Sequence, residues 1–394
     1  HTSCFGYYKC LSFSDTTSSG WFGRIGSSIT GVLFGLVLLV VSLVMLVWNE
    51  RNAVQDLKTN REIAEIVISV SADSVDSANE GKLVHLNGRA KTDDLVENQQ
   101  FAIEEKAIRL SWNAQIYQWV EKKESKKRKK LGGGEETVTT YTYKKEWVNK
   151  PIDSSRFKES GHDNGSGRKY GSGSSQAKDV TLGAFKLSDG LISQMSWNES
   201  YLLQELPDDW KDEGRLSGGV FYTGTPGSPK IRDEKVSFSL TGPDDVSVMA
   251  VQTGDSFSTY KSETGKTKLL LYQGLLSAEE VVKGEETKAK LLRWALRGGG
   301  IVVMFIGFLL FLKPLSVLAD VLPFLGNFVG GVSALVAFLL SIAISAMIIA
   351  MSWIFFRPVL GIGLFVVVIA CLFLIKRKMS SKNQISASVP PPLN

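Results

Sequence analysis

The sequence predicts an α+β membrane protein in which four transmembrane helices, one N-terminal and three C-terminal, flank a β-rich extramembrane domain. Three observations carry this expectation. Thr30 to Trp48 contains no charged residue, and Gly298 to Ile375 is interrupted only by Lys313, Asp320 and Arg357. Between these stretches apolar residues alternate with period two, as in Val236, Phe238 and Leu240 with Ser237 and Ser239 between them. An uncharged apolar run of about 18 residues or more reads as a lipid-crossing helix, because hydrocarbon offers the backbone no partners and a helix satisfies its own groups. The overall 44% apolar and 22% charged composition averages over two populations. That division excludes a soluble enzyme, a coiled-coil rod and a disordered chain.

Residues 1–28 are expected to be an N-terminal cytoplasmic segment, and 29–48 the first transmembrane helix. Trp21 and Trp48 sit where interfacial aromatics belong, and Val47-Trp48-Asn49 is too bulky for signal cleavage. The chain starts at His1, so its N-terminus is expected to be incomplete. Residues 49–297 form the β-rich lumenal or periplasmic domain. Residues 298–375 supply three helices: Gly298 to Leu312, ended by Pro314; a second within Val321 to Phe356; and Val359 to Ile375 after a tight Arg357-Pro358 turn. An interfacial or re-entrant segment near 315–325, with Asp320 and Pro323, is expected between the first two. Residues 376–394 form a basic tail whose Lys376, Arg377, Lys378 and Lys382 place it on the cytoplasmic side and make them candidate lipid contacts. Four crossings put both termini there and the domain opposite.

Within the domain, Ile66, Ile68 and Val70, and Ile108, Leu110 and Trp112, repeat the strand period. Asn87-Gly88 fits a hairpin turn. Glu121 to Glu136, with its lysine run and Gly132 to Gly134, reads as a charged, solvated loop joining two strands. No import receptor reaches it on the non-cytosolic side, and no nucleic-acid partner is expected. Ser160 to Ser175 reads as a flexible Gly/Ser insertion starting near His162, Asp163 and Asn164. Ser277-Ala278-Glu279-Glu280 has capping-box spacing and predicts a helix start that continues through Trp294. Asn164 and Asn198 head candidate glycosylation patterns.

Inside the membrane, Gly31 and Gly35, and Gly326 and Gly330, are candidate helix-packing positions. Ser341, Ser345 and Ser352 are expected to bond locally or between helices. No central cluster of ionisable residues marks a pump or proton-coupled transporter. Cys4, Cys10 and Cys371 leave the domain without cysteine, so disulfides and a usual zinc site are not expected, and His85 and His162 are its only histidines. Gly165, Gly167 and Gly171 miss the dinucleotide spacing, and no nucleophile elbow occurs. No cofactor, metal or catalytic residue is assigned.

Several stretches together resemble the transmembrane protein 43 (LUMA) family: Asn79-Glu80-Gly81-Lys82-Leu83-Val84-His85, Tyr117-Gln118-Trp119-Val120-Glu121, Tyr141-Thr142-Tyr143 with Glu146-Trp147, Ser277-Ala278-Glu279-Glu280-Val281, and Trp353 with Phe356-Arg357-Pro358. The order and the one-plus-three arrangement of spans match as well, so the resemblance covers nearly the whole chain. It implies a non-catalytic scaffold of the endoplasmic reticulum and inner nuclear membrane, with emerin-like and lamin-like partners, or a bacterial inner-membrane protein of open role. The Gly/Ser insertion and the lysine-rich loop depart from the animal pattern. The leading expectation is a multi-span membrane scaffold that contacts lipid and other membrane proteins, with homo-oligomerisation open. The alternative is a channel or channel modulator. A third reading, a membrane-bound enzyme with a lumenal site, would draw on Glu104, Glu105, Asp208 and Asp209, which lack an evident base or nucleophile partner.

Overall fold

A computed structural model describes residues 12–207, 210 and 212–356 of the chain. The described residues divide into two units: one within 12–19, 59–130 and 135–285, the other within 20–58, 131–134 and 286–356.

The first unit is the β-rich one. Its main strands are β1 (Ser12–Ser19), β2 (Leu83–Thr92), β3 (Arg109–Lys129), β4 (Glu135–Val148), β5 (Val180–Leu182), β6 (Arg215–Ser217), β7 (Val220–Tyr222), β8 (Glu234–Thr241), β9 (Asp244–Thr253), β10 (Ser256–Ser258) and β11 (Leu270–Gln273). One sheet runs β1-β4-β3-β8-β7-β6, with Gly173–Gln176 and Glu199–Tyr201 pairing to β3 and β8. The other runs from Phe185–Lys186 through β5-β2-β9-β10, with β11 added on β9 and Ile68–Ser69 parallel to β2. The alternation read from the sequence is the reason for this pairing. Leu110 and Ala114 of β3 turn inward with Val236 and Phe238 of β8, into a core shared with Phe101, Tyr170 and Phe221. Each fully buried large side chain contributes about 1.5–3 kcal/mol relative to exposure.

Several expectations are corrected here. Asn87-Gly88 lies inside β2 and makes no turn; a Cβ on Gly88 would stand 2.9 Å from Leu182 Cδ1, so the glycine serves close approach of β5. The charged segment is strand as far as Lys129 and again from Glu135, which shortens the loop to residues 130–134. On the β3 side both faces of this outer part are solvated, so no apolar period betrays it. Residues 122–128 are exposed, and cross-strand pairs such as Lys122 with Glu146 (2.6 Å) and Lys127 with Glu135 (2.8 Å) run along it. Ile66 ends a helix instead of starting a strand.

The second unit contains the apolar parts of three helices, α1 (Trp21–Ile66), α2 (Ala278–Ala319) and α3 (Pro323–Phe356), all long and apolar enough to cross a membrane. The start of α2 follows the expected capping box: the Glu280 carboxylate accepts from Ser277 N–H (2.8 Å), and the Ser277 hydroxyl accepts from Glu280 N–H (3.2 Å). Pro314 does not end the helix, and no separate interfacial segment forms at 315–325. α2 continues to Ala319, a short turn follows, and α3 begins at Pro323. In a lipid-facing helix, breaking at Pro314 would expose several backbone groups where the proline removes only one donor. The fourth span, the Arg357-Pro358 turn and the basic tail with Lys376, Arg377, Lys378 and Lys382 lie outside the described residues, as do Asp208 and Asp209.

Candidate functional site

Two places concentrate polar chemistry, one in each unit.

In the helical unit, each end of the apolar bundle is closed by a buried ion pair. Glu50 of α1 is buried and receives Arg297 of α2 in a two-pronged contact, Nε to Oε1 at 2.7 Å and Nη2 to Oε2 at 2.9 Å. Trp353 of α3 donates its indole N–H to the same carboxylate at 2.9 Å, and the Arg297 guanidinium stands 4.8 Å from the Trp294 ring. Asn49 donates to the Arg293 carbonyl (3.3 Å) beside them. One carboxylate thereby ties three helices together. At the other end Arg24 pairs with the fully buried Asp320 of the α2–α3 turn and donates to Gly133 O at 2.6 Å. Trp21 Nε1–H donates to Val317 O at 2.9 Å, and Gly132 N–H to Val321 O at 3.2 Å. From Arg24 to Glu50 the helix rises about 39 Å at 1.5 Å per residue, between a hydrocarbon core of about 30 Å and a full bilayer of about 40–45 Å.

Between them the bundle is apolar. Leu46, Met304 and Ile348 form a buried cluster joined by Leu39, Phe308 and Ile344. Of the buried serines, Ser42 donates to Leu39 O (3.0 Å) and Ser341 to Phe338 O (2.7 Å) in their own helices, and Ser345 reaches Met304 Sδ (3.3 Å).

The four candidate packing glycines separate. A Cβ on Gly35 would meet Gly307 O at 2.8 Å, and one on Gly330 would meet Ser316 Oγ at 3.1 Å, so both sit at close helix contacts. Gly31 has open space around it, and Gly326 abuts the Asp320 side chain of the turn rather than a facing helix. Gly307, the partner of Gly35, went unread because no second glycine stands four residues away. The tip of the β3–β4 hairpin is not simply solvated: Gly133, with φ +78°, is buried against the Trp21 ring. The tip lies at the Trp21 end of the bundle.

In the β-rich unit, residues 149–172 wrap over β3 and β4. This segment is ordered, contrary to the flexible insertion read from its composition. The buried Asn164 side chain acts as a strand partner for Trp119, accepting from its N–H (2.7 Å) and donating to its carbonyl (3.0 Å) and to Ile152 O (3.3 Å). Arg168 donates to the carbonyls of Asn149 (2.8 Å), Ala114 (3.2 Å) and Tyr170. The Glu234 carboxylate accepts from the N–H groups of Lys169 (2.6 Å) and Tyr170 (2.9 Å). Asn164, a candidate glycan acceptor, is buried in the folded chain with its amide nitrogen bonded to two carbonyls. Asn198 is exposed, with its Oδ1 accepting from the Thr241 hydroxyl at 2.7 Å.

The same wrap encloses a cleft of about 560 Å³ whose lining includes Phe157, Glu159, His162 and Asp163. His162 is buried, stacked at 3.9 Å on Tyr143 and edge-on to Trp119 at 4.7 Å. The Tyr143 hydroxyl donates to Glu121 Oε2 (2.7 Å) and accepts from Glu159 N–H (2.9 Å). Burial, and next the Glu121 carboxylate, push the phenol up to about 12. Lys145 Nζ stands 4.7 Å from the Trp119 ring. Sequence reasoning missed this cluster because Trp119, Tyr143 and His162 come from three separate segments.

Among the described residues no group of three or more His, Cys, Asp or Glu side chains is placed to hold a metal ion. Glu104 and Glu105 lie on the short strand Ile103–Glu105, where Glu105 accepts from the Tyr201 hydroxyl at 2.9 Å.

The family model of Transmembrane protein 43 matches residues 116–358. The chain is similar to mouse Transmembrane protein 43, 32% identical over 372 residues covering 90% of each chain. The human protein is 33% identical over 359 residues, covering 87% of this chain and 88% of its own. The Drosophila melanogaster homolog is 30% identical over 379 residues, covering 92% and 94%. No solved structure matches.

Proposed function

The chain belongs to the Transmembrane protein 43 family, and on that premise we propose that it is a non-catalytic membrane scaffold whose helices form a platform and whose β-rich domain binds partner proteins. The observation that carries this reading is the bundle: its ends are latched by Glu50 with Arg297 and by Arg24 with Asp320, and its middle is filled by Leu46, Met304 and Ile348. A latched bundle with a dry apolar centre holds a domain at a membrane. Among the described residues it offers ions no polar file, which argues against the channel reading. The scaffold acts in the endoplasmic reticulum and inner nuclear membrane of a eukaryote, beside emerin-like and lamin-like proteins, or in a bacterial inner membrane. The basic tail at Lys376, Arg377, Lys378 and Lys382 adds contacts with anionic lipid, each cation contributing about 1 kcal/mol near a charged leaflet.

Proximity labelling from a fusion at the C-terminus, compared with an unrelated protein anchored in the same membrane, tests it. A reproducible set of neighbours specific to this chain is expected, together with silence of the purified protein in voltage-clamped bilayers. A neighbour set identical to the control, or ohmic single-channel steps, would sink the reading.

A further inference from the structure

We propose that the turn 131–134 is a further membrane anchor, whose Leu131 side chain dips into the interfacial layer of the leaflet at the Trp21 end of the bundle.

The reversal of the chain makes no use of Leu131. Gly132 and Gly133, with φ +81° and +78°, supply the bend, and Gly133 packs on the Trp21 ring. Leu131 itself is 84% exposed. The turn belongs to the helical unit and is held where two uncharged runs begin. Arg24, after which no charge occurs until Glu50, donates to Gly133 O at 2.6 Å. Gly132 N–H donates at 3.2 Å to the carbonyl of Val321, the first of the uncharged residues that run to Phe356.

A lone exposed leucine needs no explanation in water. This one stands among others: Phe22 is 81% exposed and Phe324 80%. Phe22 lies 5.1 Å, ring to ring, from Trp21, and Phe324 follows Val321 by one turn of chain. What covers this apolar patch is lipid, because the helices that carry Phe22 and Phe324 are long and apolar enough to cross a bilayer. The charge beside it agrees. Lys126 to Glu136 holds five cations against two acids, the sign that headgroup phosphates attract. Exposed aromatic and leucine side chains beside lysine and arginine suit the boundary between headgroups and acyl chains. The turn cannot sink further, because hydrocarbon supplies no partners for backbone groups outside a helix or ladder. Only the side chain enters, and a cysteine in its place still meets reagents from water.

The proposal rests on the bilayer placement of the helices and not on partner binding, so its failure would leave the neighbour set of the scaffold reading untouched. Full-length chain carrying Leu131→Cys, with Cys4, Cys10 and Cys371 replaced by serine, is labelled with an NBD fluorophore and placed one copy per phosphatidylcholine nanodisc. The comparison is the same label at Ser228, an exposed turn position of the β-rich unit. Lipid with a nitroxide near the headgroup end of its acyl chain should quench the label at 131 at least about threefold more than the label at 228, and more than lipid with the nitroxide near the chain terminus does. A second readout keeps the leucine. In nanodiscs, amide hydrogen exchange over residues 128–136 should be at least about fivefold faster in Leu131→Asp than in the native chain, at an unchanged unfolding midpoint. Quenching at 131 no stronger than at 228, stronger quenching by the deep nitroxide, or equal exchange in the two chains would overturn the proposal.

Discussion

His85 is the domain's most informative single residue because its charge is set by position alone. It sits in β2, opposite Met249 of β9, with only 4% of its surface exposed, and Ser69 Oγ lies 3.4 Å from its Nδ1. Burial holds its pKa below the ordinary histidine value near 6.5, and a weaker interaction with the Leu276 backbone pulls the other way. The folded chain therefore keeps the ring neutral where the unfolded chain binds a proton. Stability from this group is complete above about pH 6.5 and is lost as pH falls through the depressed folded value, at no more than about 1.4 kcal/mol per pH unit. Unfolding midpoints of the full chain between pH 7 and 5 should drop more steeply for the wild type than for His85→Gln; parallel curves would show that the ring is not held neutral. At this scale the sequence was partly legible. His85 was visible as one of two domain histidines, but its burial depends on which strand lies across from it. Asn164 shows the same limit: a Gly/Ser-rich neighbourhood reads as flexible, and a side-chain amide that replaces a strand partner leaves no trace in hydropathy.

Elements were legible in proportion to how strongly their surroundings select residues. Hydrocarbon excludes charge, so α1 and α3 could be read from uncharged runs alone, and half-buried β3 and β8 could be read from alternation. The outer part of β3 is wet on both faces, which removes the alternation and made the charged stretch look like a loop. Pro314 misled for a related reason: a rule learned in water, where a broken helix resolvates its ends, loses force in lipid. Helix contacts were legible only halfway, since glycine spacing names a face without naming what meets it. The structure makes Gly35 and Gly31 opposites. Gly35→Leu must displace Gly307 and Leu310 and is expected to destabilise the helical unit by about 1–3 kcal/mol. Gly31→Leu, with nothing within 4 Å, should change stability by less than about 0.5 kcal/mol. Thermal unfolding in a single detergent or nanodisc compares them, and equal losses would mean that α1 and α2 do not cross at Gly35.

The whole molecule poses a question of sidedness that no single element answers. Glu50 with Arg297 and Arg24 with Asp320 mark opposite ends of the bundle, and the turn 131–134 belongs with the Arg24 end through Gly132, Gly133 and Trp21. Asn198 is exposed in the β-rich unit and heads a glycan acceptor pattern. Sidedness can therefore be measured at two points in one preparation. In microsomes, the chain is expected to gain the mass of one glycan, lost in Asn198→Gln and unaffected by Asn164→Gln, which reports a lumenal domain. Cysteine placed at Leu131 should react with an impermeant maleimide from the same face as cysteine placed at Gly20, with Cys4, Cys10 and Cys371 replaced by serine. Labelling of the two from opposite faces would break the contact of the turn with Trp21, and absence of the glycan would remove the lumenal assignment. Were both expected results obtained, the chain between Asn198 and Leu131 would have to change sides. Its outer strands carry Lys122, Lys123, Lys126 and Lys127, which hydrocarbon does not tolerate, so β3 and β4 would then have to pass through a water-filled or protein-lined space. Among the described residues the bundle centre is the apolar cluster of Leu46, Met304 and Ile348, so the combined result would be followed by measuring the mass in nanodiscs, where several copies give a mass several times that of one chain.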